Sequence, residues 1–480
     1  MQDTKDFQRT KGLPGTVSAK RFSISVWFEQ RFRLQELQTN MATEIRAGLA
    51  TFMVMAYIIL VNPNLLGSLA DASGEKLAFP AVLTATCLTS GTLCILMGLL
   101  SNYPFALAPG MGLNAVVTFQ LVGQLKLTWP EAMSVILLEG LVILVLVLTR
   151  FREAMMDAIP MSPKRAIGAG IGLFISLIGL VNSGLVVRGE GSLVTLGRIQ
   201  GVSVTVFILG FMLSVWMLVR RAKGALLWGI LLTTGIAVLA NLVWGHGQAF
   251  GASAVIPRRI FGFPQGLWGP GAIFGRIDFG FFAKLGLPSA LLVTFSIMLS
   301  DFFDTMGTVV GLAGEAGFLD SRGKLPRINR VLLVDSLGAA LGGLANCSSN
   351  TTYIESAAGI SEGGRTGLTS VVVGMLFLLA IFLNPLAVII PKEATASALI
   401  LVGFFMMTVI KEIPWNDYGE AIPAFVIMIV MPFTYSITNG IGMGFVVYTL
   451  LKLLAGKKRE VHNLMLGASV AFVVYFLFSI

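Results

Sequence analysis

The chain of 480 residues is 55% hydrophobic and only 12% charged, with 33 Phe against 7 Tyr and a formal net charge of +9. This is the composition of a polytopic membrane protein, in which helices of about 20 apolar residues cross the hydrocarbon. It leaves no soluble basic face for a nucleic-acid partner, and membrane topology accounts for the positive charge instead.

Residues 1–42 ("MQDTKDFQRTKGLPGTVSAKRF" and onward) are basic and have no apolar core followed by a cleavage site. They read as a cytoplasmic tail and not as a signal peptide. Apolar segments then follow near 43–66, 81–100, 103–123, 130–149, 165–186, 203–219 and 225–245, a first set of seven spans. Glu139 falls inside the fourth. The stretch 246–287, with Arg258 and Arg259, is expected to be an extracytoplasmic loop. A second set follows near 288–312, 328–345, 347–361, 367–391, 394–410, 421–436 and 438–455, which gives about fourteen spans. Residues 456–480 combine a basic linker with the apolar "NLMLGASVAFVVYFLFSI", which reads equally as a further span or as an interfacial helix.

Charge placement checks this count. With the N-terminus inside, the short cytoplasmic loops include "RRAKG", "EAGFLDSRGKLPRINR", "SEGGRTG" and the tail "GKKRE", and each carries Lys or Arg. The implied location is the cell membrane, multi-pass, with lipid as the surrounding partner. Cys87, Cys94 and Cys347 fall in or beside spans, match no disulfide or metal spacing, and read as small apolar packing residues.

Two segments interrupt the apolar pattern at matched places. "GLLSNYPFALAPGMG" at 98–112 aligns with "GGLANCSSNTTYIES" at 342–356, pairing Asn102 with Asn346, and "TFMVM" at 51 aligns with "TFSIM" at 294 at nearly the same offset. Seven spans separate the copies. An odd number inverts the second copy in the membrane, the architecture of many secondary transporters, whose substrate site lies at paired broken helices near the midplane. Each segment reads as a few extended residues ("FALA"; "TTYI") followed by a helix that starts in mid-membrane. Such backbone survives there only where protein or a watery cavity satisfies it.

Away from the span ends, five carboxylates lie inside spans: Glu139, Asp301, Asp304, Asp335 and Glu355, whereas His246 and His462 do not. Each costs about 2.5–3.5 kcal/mol at a helix centre, so the group needs a reason. Asp301 and Asp304 lie three apart in "SDFFDTMGT", on neighbouring faces of one helix. No Lys or Arg at comparable depth pairs with them, which makes the acids candidates for proton coupling.

"GLATFMVMAYIILVNP", "ALAPGMGLNA", "FFDTMGT", "TTYIESAAGISEGGRTGLT" and "PAFVIMIVMPFTYSITNGI" resemble the azaguanine-resistance-type purine permeases, a branch of the nucleobase–cation symporter family, from about Glu44 to Gly456. The resemblance implies an all-α polytopic fold of two inverted seven-span repeats with core and gate domains, and proton-coupled uptake of purine bases. Related transporters form homodimers through their gate domains, so a homodimer is possible here. By motif, Asp304 and Glu355 correspond to the two carboxylates that hold the nucleobase, Asn114 to a substrate-site residue, and Asp335 to a polar residue behind the site. Phe105 and Tyr353 are candidates to flank the flat ring. Uracil-type members carry a His one turn after the binding acid where this chain has Thr308, so any protonated group must be a carboxylate. Asp301 and Glu139 are supporting or coupling candidates. No cofactor is expected beyond the proton.

Other classes fit less well. "DFFDT" has the D-x-x-D spacing of a membrane prenyltransferase, but no second Asp-rich motif or basic cluster accompanies it. An anion carrier of the same architecture would have to bind its substrate among acidic residues that repel it. That anion carrier, for sulfate or bicarbonate, is the closer rival nonetheless, and a transporter of another nucleobase, uracil or xanthine, stands beside it as the alternative. The motifs do not choose between adenine and guanine or hypoxanthine, nor between H⁺ and Na⁺.

Overall fold

The computed structural model describes residues 29–149, 159–189, 191–192, 194–243, 250, 253–256, 259–266, 271–320 and 324–478. Most of the expected cytoplasmic tail, the basic loop 150–158 and parts of the expected extracytoplasmic loop, Arg258 included, lie outside the described residues.

Asn40 starts the first helix by accepting a hydrogen bond from the Thr43 amide, and α1 (Met41–Met55) is separated from α2 (Ile58–Leu66) by a break at Ala56 and Tyr57. Then come α3 (Phe79–Ser101), the strand β1 (Leu107–Pro109), and α4 (Met111–Ala115), which widens into a π-helical stretch over Val116–Gln124. α5 (Trp129–Leu148) begins in a capping box: Thr128 accepts from the Glu131 amide while Glu131 accepts from the Thr128 amide. α6 (Met161–Asn182), a small hairpin of β2 (Val186–Val187) and β3 (Thr195–Leu196), α7 (Val202–Val219) and α8 (Ala225–Val243) complete the first repeat.

The second repeat is preceded by the short α9 (Phe281–Leu285). It comprises α10 (Leu287–Glu315), α11 (Ile328–Leu344), β4 (Asn350–Thr352) with α12 (Ser356–Ser361), α13 (Gly367–Ala380) with its short continuation α14 (Asn384–Ala387), α15 (Lys392–Met407), α16 (Tyr418–Thr434) and α17 (Ile437–Leu454). Among the described residues ten helices are long and apolar enough to cross a membrane, and Tyr418–Thr434 and Asn463–Leu477 are shorter apolar helices. The expected third and tenth spans are strand-then-helix segments, as their sequences imply.

The inverted symmetry is visible in the packing. α3 lies along α13, and the repeat-equivalent pair, α11 and α5, lies together in the same way. Both contacts are backbone-close: a Cβ on Gly98 would stand 2.2 Å from the Gly367 carbonyl, and one on Gly140 would stand 2.3 Å from the Ala340 amide nitrogen. Small residues permit such approach where no hydrophobic force drives helices together. The aligned asparagines also take equivalent conformations, with φ of 56° at Asn102 and 57° at Asn346. Each leaves its helix through the left-handed region that Asn tolerates. α1 to α5 and α10 to α13 form the core group, with β1 and β4 paired antiparallel at its centre (Leu107 opposite Thr352, Pro109 opposite Asn350). α6 against α15, flanked by α7, α8, α16 and α17, forms the gate group.

The C-terminal segment is the helix α18 (Asn463–Phe478), and it joins the bundle. The Ser469 hydroxyl donates to the Phe445 carbonyl at 3.0 Å, and Phe472, fully buried, meets the Phe445 ring edge-on at 6.1 Å. At 1.5 Å per residue this helix is about 24 Å long, short for a full span.

Candidate functional site

The two interrupted segments satisfy each other's backbone. The Gly110 amide donates to the Ser349 carbonyl at 2.8 Å, the Tyr353 amide to the Ala106 carbonyl at 2.9 Å, and the Ala106 amide to the Ser356 hydroxyl at 3.0 Å. With the β1–β4 ladder these bonds let extended chain persist inside the bundle.

Around this centre the five expected carboxylates separate into different environments. Asp335 is buried and saturated: Oδ1 accepts from the Thr352 amide (2.9 Å) and hydroxyl (2.8 Å), and Oδ2 from the Thr305 hydroxyl (2.7 Å). It ties α11 to β4 and α10, behind the site. Asp304 on α10 is half-buried, accepts no hydrogen bond from the described residues, and lies within range of the charges of Asp335 and Glu355. Glu355, immediately before α12, is also half-buried, and its Oε1 accepts from the Tyr57 hydroxyl at 2.8 Å. Thr308, one turn after Asp304, is half-buried beside it in sequence.

Asn114 on α4 is fully buried, and among the described residues neither its amide nitrogen nor its oxygen has a hydrogen-bond partner; leaving a buried polar group unpaired costs about 1–3 kcal/mol. Asp301 and Glu139 face one another between α10 and α5, at 1% and 0% exposure. Asp301 Oδ2 accepts from the Ser349 hydroxyl at 2.9 Å, and the Glu139 carboxyl lies within hydrogen-bonding reach of Asp301 and of Ser349. Full burial of Glu139 against Asp301 excludes a side chain that reaches back to the membrane surface. Among the described residues no lysine or arginine forms an ion pair with any of the five.

The two rings expected to flank a ligand have other partners in this conformation. Phe105 is fully buried, stacked on Tyr103 at 5.3 Å, with Phe318 beside both. Tyr353 is 6% exposed and its hydroxyl donates to the Pro109 carbonyl at 2.5 Å, which clamps one interrupted segment to the other. A cavity of about 430 Å³, lined by Leu291, Phe295, Leu299, Phe445, Met465 and Ala468, lies between α10, α17 and α18 and contains no carboxylate.

Two residues escaped the sequence reading. Tyr57 sits in the break of the first span and reaches Glu355. Glu44 on α1 is fully buried and accepts from the Thr369 hydroxyl (2.6 Å) and the Arg365 amide (2.9 Å), with the Thr366 and Thr369 amides at 3.3 Å. It serves the orphan donors at the start of α13. Its only sequence signal is an acid at the membrane end of the first apolar segment.

Inverted repeats with paired broken helices, and an acidic centre between them, are the architecture of secondary membrane transporters. Residues 42–442 match a family described as a permease family, and the chain belongs to it. It is 39% identical over 455 residues to a putative permease of Methanocaldococcus jannaschii (95% of this chain, 99% of the relative). It is 40% identical to a guanine/hypoxanthine permease of Bacillus subtilis (93% and 99%) and 38% identical to an adenine permease of Escherichia coli (94% and 96%). In fold it is similar to the transmembrane domain of a cyanobacterial bicarbonate transporter, with TM-score 0.61, 15% identity, and 83% and 97% of the two chains covered. It is similar also to murine Slc26a9, with TM-score 0.63, 11% identity, and 92% and 73% covered.

Proposed function

We propose that this permease imports purine nucleobases, adenine or guanine and hypoxanthine, across the cell membrane together with protons, its N-terminus on the cytoplasmic side. The observation that carries the reading is the pair Asp304 and Glu355, two half-buried carboxylates within range of each other's charge, together with the Asn114 amide, on a helix that touches the Asp304 helix and with no hydrogen-bond partner among the described residues. A purine offers ring N–H groups and, in adenine or guanine, an exocyclic amine, all donors that a carboxylate accepts, while Asn114 can both donate and accept. The names of the relatives, adenine permease and guanine/hypoxanthine permease, support the same substrate class.

In this reading the core group moves with its bound base against the gate group. Asp301 and Glu139 are the acids among which the coupling proton is carried, with Asp335 supporting them from behind the site and Thr308 standing where a histidine relay would be. Phe105 and Tyr353 shape the floor of the site from their buried positions. The likeness to bicarbonate and Slc26 transporters concerns the fold. An anion would meet two carboxylates at short range in a low dielectric, which argues against that cargo.

Coupling is tested by measuring purine uptake into cells with and without a protonophore, and with Na⁺ replaced by choline. Uptake should collapse with the protonophore and persist without Na⁺. The reverse pattern would make the protein a sodium symporter.

A further inference from the structure

Among the described residues one side chain reaches the Glu355 carboxylate: the Tyr57 hydroxyl donates to Oε1 at 2.8 Å, and the residue's own backbone amide is the carboxyl's other protein partner. Tyr57 itself is 1% exposed, so its ring is fixed by packing and water does not compete for the phenol. It lies in the break between α1 and α2, and α2 packs against the gate helix α15. The phenol therefore comes from a segment that touches both moving bodies.

We propose that Tyr57 is a positioning residue for substrate recognition: by holding Oε1 of Glu355 it fixes the carboxylate plane and presents Oε2, in one direction, to an N–H of the ligand. This rests on the reading that Glu355 meets the base. A free carboxylate can rotate about its last torsion and accept a donor from many directions. A held one rewards a donor at one place and penalises a ligand that has lost it, because a buried acceptor built for an N–H is then left unpaired. Tyr57 thus sets discrimination between a purine and its N-methylated analogue, and not the capacity to transport.

The test compares wild-type protein with Tyr57→Phe in whole-cell uptake, with membrane level measured in parallel. The competitors are the parent purine and the mono-N-methylated purine that the wild type rejects most strongly. Loss of one hydrogen bond to a charged group predicts a KM about tenfold higher with Vmax within about twofold, and a methyl discrimination reduced by a similar factor. Tyr57→Met, a second variant without a donor, should behave alike, and it carries the test if Tyr57→Phe does not insert. Unchanged discrimination in either inserted variant, or a loss of Vmax alone, overturns the proposal. Glu355→Gln separates the two failures. Impaired Glu355→Gln with unaltered Tyr57→Phe removes only the positioning role, whereas normal uptake by Glu355→Gln removes the underlying site assignment as well.

Discussion

Asp304 and Asp335 are the same residue type on adjacent helices of one core, yet they stand in opposite environments. Asp335 receives three hydrogen bonds from Thr352 and Thr305 and is spent on structure. Asp304 receives none from the described residues and stays half-exposed. Glu44 and Glu355 repeat the contrast, the first saturated by the start of α13, the second held among the described side chains by the Tyr57 hydroxyl alone. A carboxylate in a membrane core is expensive wherever it stands. What separates a binding group from a scaffold is whether the protein supplies its donors or leaves them to a ligand.

The contrast breaks most sharply in substitution. Asp304→Asn and Glu355→Gln should each lower purine uptake by about 100-fold or more, since a charged acceptor facing a buried donor is lost. Thermal stability of the detergent-purified variants should change little, because few protein groups depend on either side chain. Asp335→Ala should behave the other way. It strands the Thr352 amide and two hydroxyls, and should cost about 3 kcal/mol or more, read as a lowered midpoint of thermal unfolding and reduced membrane level. An Asp335→Ala protein of wild-type stability would remove the distinction.

Packing predicts an intermediate effect. Gly98→Val places a side chain against the Gly367 carbonyl, already 2.2 Å from an added Cβ, and should force α3 and α13 apart. The consequence is a loss of stability of about 1–3 kcal/mol, measured by thermal unfolding, with weakened uptake. The smallest effect belongs to the loop after α2. Hydrogen bonds from the Arg276 guanidinium, one at 2.7 Å, hold the Glu75 carboxyl below the usual glutamate range. Its folded value being depressed, the pair contributes stability above the unfolded glutamate value and loses it as pH falls through the folded one. Both side chains are more than a third exposed, so the contribution is under about 1 kcal/mol. Wild type should therefore unfold slightly above Glu75→Gln at pH 7, and the gap should close in acid.

Much of this was legible in sequence where the signal is local or repeated. "NYPFALAPGMG" and "NCSSNTTYIES" announced the broken helices because Pro, Gly and polar residues cannot continue a lipid-facing helix, and the Asn102–Asn346 register is realised as matching left-handed helix exits. The carboxylates stood out against an apolar background. Illegible were contacts between distant segments: Tyr57 with Glu355, and Glu44 with the start of α13. An Asp reads the same in sequence whether its donors come from Thr352 or from a ligand. The buried stacking of Phe105 on Tyr103 and the Tyr353–Pro109 clamp were hidden for the same reason, since an aromatic residue beside a site motif looks alike as platform or as wedge.

The most direct test of the central claim is uptake of radiolabelled adenine into cells that lack their own purine permeases, with unlabelled guanine, hypoxanthine, uracil and sulfate as competitors. The account predicts saturable uptake inhibited by purines and indifferent to uracil and sulfate, with the strongest competitor identifying the preferred base. Absence of purine uptake and of purine competition, in protein verified at the membrane, would contradict it.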